Sequence, residues 1–139
     1  MKINYLQILN KNMINVLKEV LQKIQQNNLK EGHHLYITFK TRNNNIILPK
    51  WLKKKYPDEM TIVIQHEYSN LKVLDDKFEI LLSFENINVN LSIPFKSIIS
   101  FADPYANFGL KLNSNNKKEV IKNKKNNNVI DFKKFKKLN

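Results

Sequence analysis

Near the start of the chain, apolar residues recur at intervals of three and four. Leu6, Leu9, Met13, Val16 and Val20 form one stripe, and Met13, Leu17, Leu21 and Ile24, with Ile14 beside them, form a second. This period predicts a helix over residues 4–26. Asn4 is placed to cap it, with Gln7 three residues on, and Asn27, Asn28 and Gly32 follow as stop signals. A helix lying on its own domain needs one apolar stripe, so the added width calls for a second surface. The simplest is the same helix of a second copy, with Leu6, Leu9, Met13, Val16 and Val20 as candidate dimer contacts. Deep burial in a monomer is the competing reading.

After residue 32 the period changes to two. Leu35, Ile37 and Phe39 alternate with Tyr36, Thr38 and Lys40, the pattern of a half-buried strand. Further strands are expected at 45–48, 60–66, 71–74, 78–85, 89–93 and 107–112, with turns at Asp75-Asp76 and Glu85-Asn86. Residues 49–56 and 95–100 read as short helical turns. Short strands this closely spaced predict a mainly β fold, a small bent sheet or open barrel with an N-terminal α-helix attached.

The pattern lapses over residues 113–128, which are almost all Asn, Lys and Ser and are too polar to bury a core, so a flexible linker is expected there. Apolar residues return at Val129, Ile130, Phe132 and Phe135. That segment is too short to fold alone and reads as a peptide that docks on another protein. The expected organisation is a folded domain over 1–112, a linker over 113–128 and a docking peptide over 129–139.

Composition narrows the chemistry. The 139 residues include two glycines and no cysteine, which excludes glycine-rich phosphate loops, a disulfide framework, a thiolate nucleophile and a Cys-based zinc site. His33 and His34 are adjacent at a strand start and should point to opposite faces, so they cannot share a metal or a proton. His66 has no second histidine at metal-ligand spacing, the carboxylates Asp58, Glu59, Asp75 and Asp76 fall in expected turns, and no serine sits in a nucleophile elbow. Nothing here predicts an enzyme, a metal or a cofactor. No apolar run reaches the roughly 18 residues of a membrane span, and no signal-peptide core is evident, so a cytoplasmic protein with no membrane partner is expected.

The net charge of +12 would ordinarily suggest nucleic acid as a partner. Yet residues 1–112 carry 15 Lys and Arg against 10 Asp and Glu, whereas 113–139 carry 9 against 2, so over half of the excess lies in the tail. Lysine outnumbers arginine 23 to 1 in a chain with 22 Asn and 16 Ile, which fits an A/T-rich coding background. A base-reading protein would use Arg for its planar fork, and Arg42 stands alone, which argues against sequence-specific nucleic-acid binding.

Several strings are more specific. Leu48-Pro49-Lys50-Trp51-Leu52 is followed by the run from Tyr56-Pro57-Asp58-Glu59-Met60 to Gln65-His66-Glu67-Tyr68, then by Leu82-Ser83-Phe84 and Ile93-Pro94-Phe95. Phe101-Ala102-Asp103-Pro104 and Asn107-Phe108-Gly109-Leu110 complete the set. Together they resemble the alphaproteobacterial branch of the stringent starvation protein B family, across residues 5–112 and again at the end of the tail. The resemblance differs at Tyr68-Ser69-Asn70, where the family usually shows an aromatic pair, and in a linker that is short and basic.

The resemblance implies a bacterial, cytoplasmic, homodimeric adaptor with an SH3-like or Sm-like barrel. It implies a groove for ssrA-tagged polypeptides and a C-terminal peptide that binds the ClpX unfoldase of the ClpXP protease. By motif position the tag groove would involve Ile80, Leu82, Ser83, Phe101, Ala102, Phe108, Gly109 and Leu110, each of which could equally be core. The unfoldase-docking residues would be Val129, Ile130, Phe132 and Phe135, supported by Lys136 and Lys137. The alternative is a small Sm-like RNA-binding module whose basic C-terminal arm contacts phosphates.

Overall fold

The computed structural model describes residues 1–30, 32–42, 45–65 and 68–112. It opens with helix α1, Tyr5–Asn27, whose N-cap is Asn4: the Asn4 side chain accepts a hydrogen bond from the Gln7 amide at 3.0 Å. Asn28 ends the helix with φ 61°, its N–H bonded to the Ile24 carbonyl at 2.8 Å. Among the described residues seven strands follow: β1 Leu35–Lys40, β2 Glu59–Ile64, β3 Ser69–Val73, β4 Lys77–Phe84, β5 Ile87–Pro94, β6 Ile98–Asp103 and β7 Phe108–Lys111. A short helix α2, Lys50–Lys55, lies between β1 and β2, and a 3-10 turn, Phe95–Ser97, joins β5 to β6.

The strands form two antiparallel sheets, one ordered β2-β1-β6-β7 and the other β3-β4-β5, which do not close into a barrel. The expected mainly β architecture with an N-terminal helix is therefore the observed one. One apolar core joins Leu17, Leu21 and Ile24 of α1 to Leu35, Ile37 and Phe39 of β1, Phe78, Ile80 and Leu82 of β4 and Phe101 of β6. The turn between β4 and β5 has Glu85 at φ 52° and Asn86 at φ 66°, two successive left-handed residues that match the right-handed twist of a two-residue hairpin. Glu85 also pairs with Lys55 of α2, which places the end of α2 beside that turn.

Two sequence expectations fail. Residues 45–48 do not form a strand: Ile46 and Leu48 are buried and Ile47 is exposed, as an alternating strand would have them, but only an isolated bridge from Ile47 to Ser92 forms. Pro49 has no N–H, and its carbonyl accepts from Leu52 and Lys53 at 3.1 Å to begin α2, so the ladder stops after one pair. The helical turn read over 95–100 ends at Ser97, and Ile98 begins β6. Consequently Phe101, Ala102 and Asp103, which none of the expected strands contained, are strand residues, between β1 and β7. Smaller differences affect strand ends, and His66 lies outside the described residues.

Helix α1 covers the edge of β3. The Val73 N–H donates to the Gln25 side chain at 3.3 Å, so an edge donor is satisfied by the helix. The Tyr68 hydroxyl lies 2.9 Å from the Ile24 carbonyl and 2.8 Å from Asn28 Oδ1, where it locks the helix end onto the start of β3. Burial pushes this hydroxyl above the usual tyrosine pKa. Tyr68→Phe should lower the unfolding free energy by about 1 to 2 kcal/mol, because an acceptor in a partly buried seam loses its donor. Urea unfolding checks this: the midpoint should fall with the slope unchanged.

Candidate functional site

The eight residues expected to line a groove fall into two sets on different sheets. On β4 and β5, Ile80 is opposite Leu91, Leu82 opposite Val89 and Ser83 opposite Asn88. On β6 and β7, Phe101 is opposite Leu110, Ala102 opposite Gly109 and Asp103 opposite Phe108. Alternation decides what each can touch. Ile80, Leu82 and Phe101 point into the core they share, with 1%, 7% and 1% of their surface exposed. Ala102 is fully buried on the other face of its sheet against Tyr36, with Val63 beside them, and Gly109 is buried next to it. Surface is left at Ser83 and Phe108, and in part at Leu110.

Phe108 belongs to an aromatic corner that local sequence does not reveal. His33 Nε2 is 2.7 Å from Asp103 Oδ2, and both side chains are mostly buried. The His33 ring stacks on Tyr105 at 4.8 Å between centroids, and Asp103 Oδ1 accepts from the Ala106 amide, so the carboxylate also orders the turn into β7. Phe101 and Phe108 are tilted together at 6.3 Å. His33 and Asp103 are 70 positions apart, and only the β1–β6 pairing brings them together. His34 turns away to meet Tyr36 edge-on, as adjacent residues at a strand start should. Among the described residues, no three His, Asp or Glu side chains are grouped to hold a metal.

Helix α1 presents two faces. Met13, Leu17, Leu21 and Ile24 are buried on the domain, whereas Tyr5, Leu9 and Val16 lie on an adjacent face and are exposed. Of the expected dimer contacts, Leu9 and Val16 are 45% and 40% exposed and Leu6 and Val20 are half-buried. Met13 is the exception: it is turned into its own domain at 4% exposure and leaves little for a partner. The expected docking residues Val129, Ile130, Phe132, Phe135, Lys136 and Lys137 lie outside the described residues, as does the linker.

The family model for SspB, stringent starvation protein B, matches residues 8–135. The chain belongs to this family. No curated protein matches it. The match begins in α1, runs through both sheets and continues through Val129, Ile130 and Phe132 to Phe135. Membership in the SspB family supports an adaptor role in proteolysis, since the family is one of adaptors rather than enzymes. No helix of the described residues is long and apolar enough to cross a membrane.

Proposed function

We propose that the protein is a non-enzymatic adaptor that binds ssrA-type degradation tags on its folded domain and tethers tagged chains to the ClpX unfoldase of ClpXP. The observation that carries this reading is the extent of the SspB match, which spans the fold and also the apolar end of the tail. An adaptor of this kind needs no reacting side chains. Two binding events are linked through one chain, so that the second becomes intramolecular and effective concentration replaces intrinsic affinity. A polar coil the length of 113–128 would span about 20 to 24 Å, enough to reach a neighbouring protein. Exposed apolar positions on α1 support a homodimer, which doubles the tethers carried by each assembly. The proposed setting is the bacterial cytoplasm.

For the tag surface, exposed Phe108 and Ser83 and half-buried Leu110 are the expected contacts, whereas Ile80, Leu82 and Phe101 act by holding the sheets in place. Fluorescence anisotropy of a labelled ssrA-type peptide titrated with the protein tests this. Saturable binding is expected, with Phe108→Ala weakening it by about tenfold, the scale of one apolar anchor, and circular dichroism unchanged. No binding, or equal binding of a scrambled peptide, would overturn the proposal.

A further inference from the structure

Phe108 is supported from two sides. Its ring leans on Phe101 of β6, at 6.3 Å between centroids. Beside it stands Asp103, its partner across the β6–β7 pair, and residues directly opposite in such a pair leave the sheet on the same face. Phe101, Leu110, Asp103 and Phe108 therefore share one face, and Ala102 and Gly109 take the other.

The turn between β6 and β7 has bonds of its own. The Asn107 N–H donates to the Pro104 carbonyl at 3.1 Å, with Asn107 at φ 55°, and the Ala106 N–H donates to Asp103 Oδ1 at 3.2 Å. These bonds fix the shape of the turn but not its direction relative to β1. That direction is set by His33. Continuing the β1–β6 register past Tyr36 opposite Ala102 puts Leu35 opposite Asp103 and His33 opposite Tyr105. The His33 ring accordingly reaches Asp103 Oδ2 at 2.7 Å and stacks on Tyr105 at 4.8 Å, 24° from parallel. One carboxylate thus joins three segments: Oδ2 holds the approach to β1, Oδ1 holds the turn, and the Asp103 backbone lies opposite Phe108.

Both side chains of the pair are mostly buried, with 20% of His33 and 17% of Asp103 exposed. A carboxylate left there without its donor turns toward water, because an unpartnered buried polar group costs more than a change of rotamer. Turning carries Oδ1 away from the Ala106 amide. A loss at His33 is therefore passed to the turn and, through Asp103, to Phe108.

We infer that His33 is a positioning residue for the Phe108 surface: acting through Asp103, with Tyr105 covering its ring, it fixes the β6–β7 hairpin so that Phe108 is presented in a single orientation. This rests on the tag-binding reading for what Phe108 meets. It goes further in tracing part of the affinity to a side chain that does not touch the peptide.

The first measurement needs no peptide. In amide NMR spectra of the full-length protein, His33→Ala should shift and broaden the signals of residues 104–108 and leave those of β3, β4 and β5 in place. The second is anisotropy of a labelled ssrA-type peptide. His33→Ala and Asp103→Ala should each weaken binding by about fivefold, the scale of coupling through a contact network. Asp103→Asn keeps an acceptor for the Ala106 amide and a polar partner for the His33 ring, so it should recover most of what Asp103→Ala loses. In a Phe108→Ala background, His33→Ala should cost nothing further, a non-additivity that a general loss of stability would not produce. If His33→Ala does not fold, Tyr105→Ala decides the matter: at this exposed position it should fold and weaken binding by about twofold, and unchanged affinity would overturn the inference. Unmoved hairpin signals, wild-type affinity in His33→Ala, or losses that add to that of Phe108→Ala would overturn the inference and leave the tag reading standing. A wild-type protein that binds no ssrA-type peptide would overturn the tag reading and this inference with it.

Discussion

Replacing Leu9 and Val16 together with Glu is expected to halve the mass of the protein in solution, from two chains to the 16.5 kDa of one. Both residues lie on the α1 face that its own domain leaves open, at 45% and 40% exposure, beside Tyr5. In an isolated chain, Glu at either position is solvated and is a good helix former, so the fold should lose little. In a dimer the same carboxylates enter an apolar contact without partners, at a cost on the order of several kcal/mol, enough to dissociate it. This asymmetry makes the pair informative. Met13→Glu would be a poor choice, since Met13 is buried in its own domain and the charge would unfold the helix from the sheet whether or not a dimer exists. Light scattering with circular dichroism separates the cases: a helical, folded variant of single-chain mass is the expected result. A wild-type protein that already has single-chain mass would remove the dimer from the proposal.

Where sequence reading succeeded and failed has physical causes. Helix α1, strand β1 and the turn at Glu85-Asn86 each carry a local signal: a cap three residues from its donor, a change of period, or a pair able to adopt positive φ. The expected half-burial of β1 is corrected, however: Tyr36 and Thr38 are buried as well as Leu35, Ile37 and Phe39, since β1 lies between β2 and β6 and is covered on both faces. Strand β6 carries none. With neighbours on both edges and burial on both faces, Ile98–Asp103 has Ser100 and Ala102 buried along with Ile98 and Phe101, which erases alternation. Residues 45–48 show the reverse case, a true alternation that Pro49 prevents from extending into a ladder. For the candidate site, motif positions fell on expected strands at β4 and β7 but not at β6, and they could not tell the inward side of β4 from the outward. Ile80 and Leu82 proved inward, leaving Ser83 as the accessible member of that set. The His33–Asp103 pair depends on the placement of β6 beside β1, so its signal lies in topology rather than in any window of residues.

In the tail, Ile130→Ala with Phe135→Ala should abolish delivery of ssrA-tagged substrate to ClpXP and leave tag affinity untouched. The sequence supplies a matched control. Val120-Ile121 and Val129-Ile130 are similar apolar pairs in one basic segment, but only the second is followed by Phe at the second and fifth positions after its Ile. The SspB match ends at Phe135, so it includes all four proposed apolar anchors and excludes Lys136 and Lys137. A few apolar side chains carry most of the binding energy of a short docking peptide, so losing two should remove the tether. Without it the variant still occupies the tag, so adding it should slow degradation of a tagged reporter to below the rate without adaptor. Val120→Ala with Ile121→Ala alters only the proposed linker and should deliver like the wild type. If the two double variants fail equally, or if exchange of Lys136 and Lys137 alone stops delivery while the apolar changes are harmless, basicity is the operative feature. Binding should then weaken steeply with salt, as phosphate contacts do, and the tail would be a nucleic-acid arm rather than an unfoldase-docking peptide.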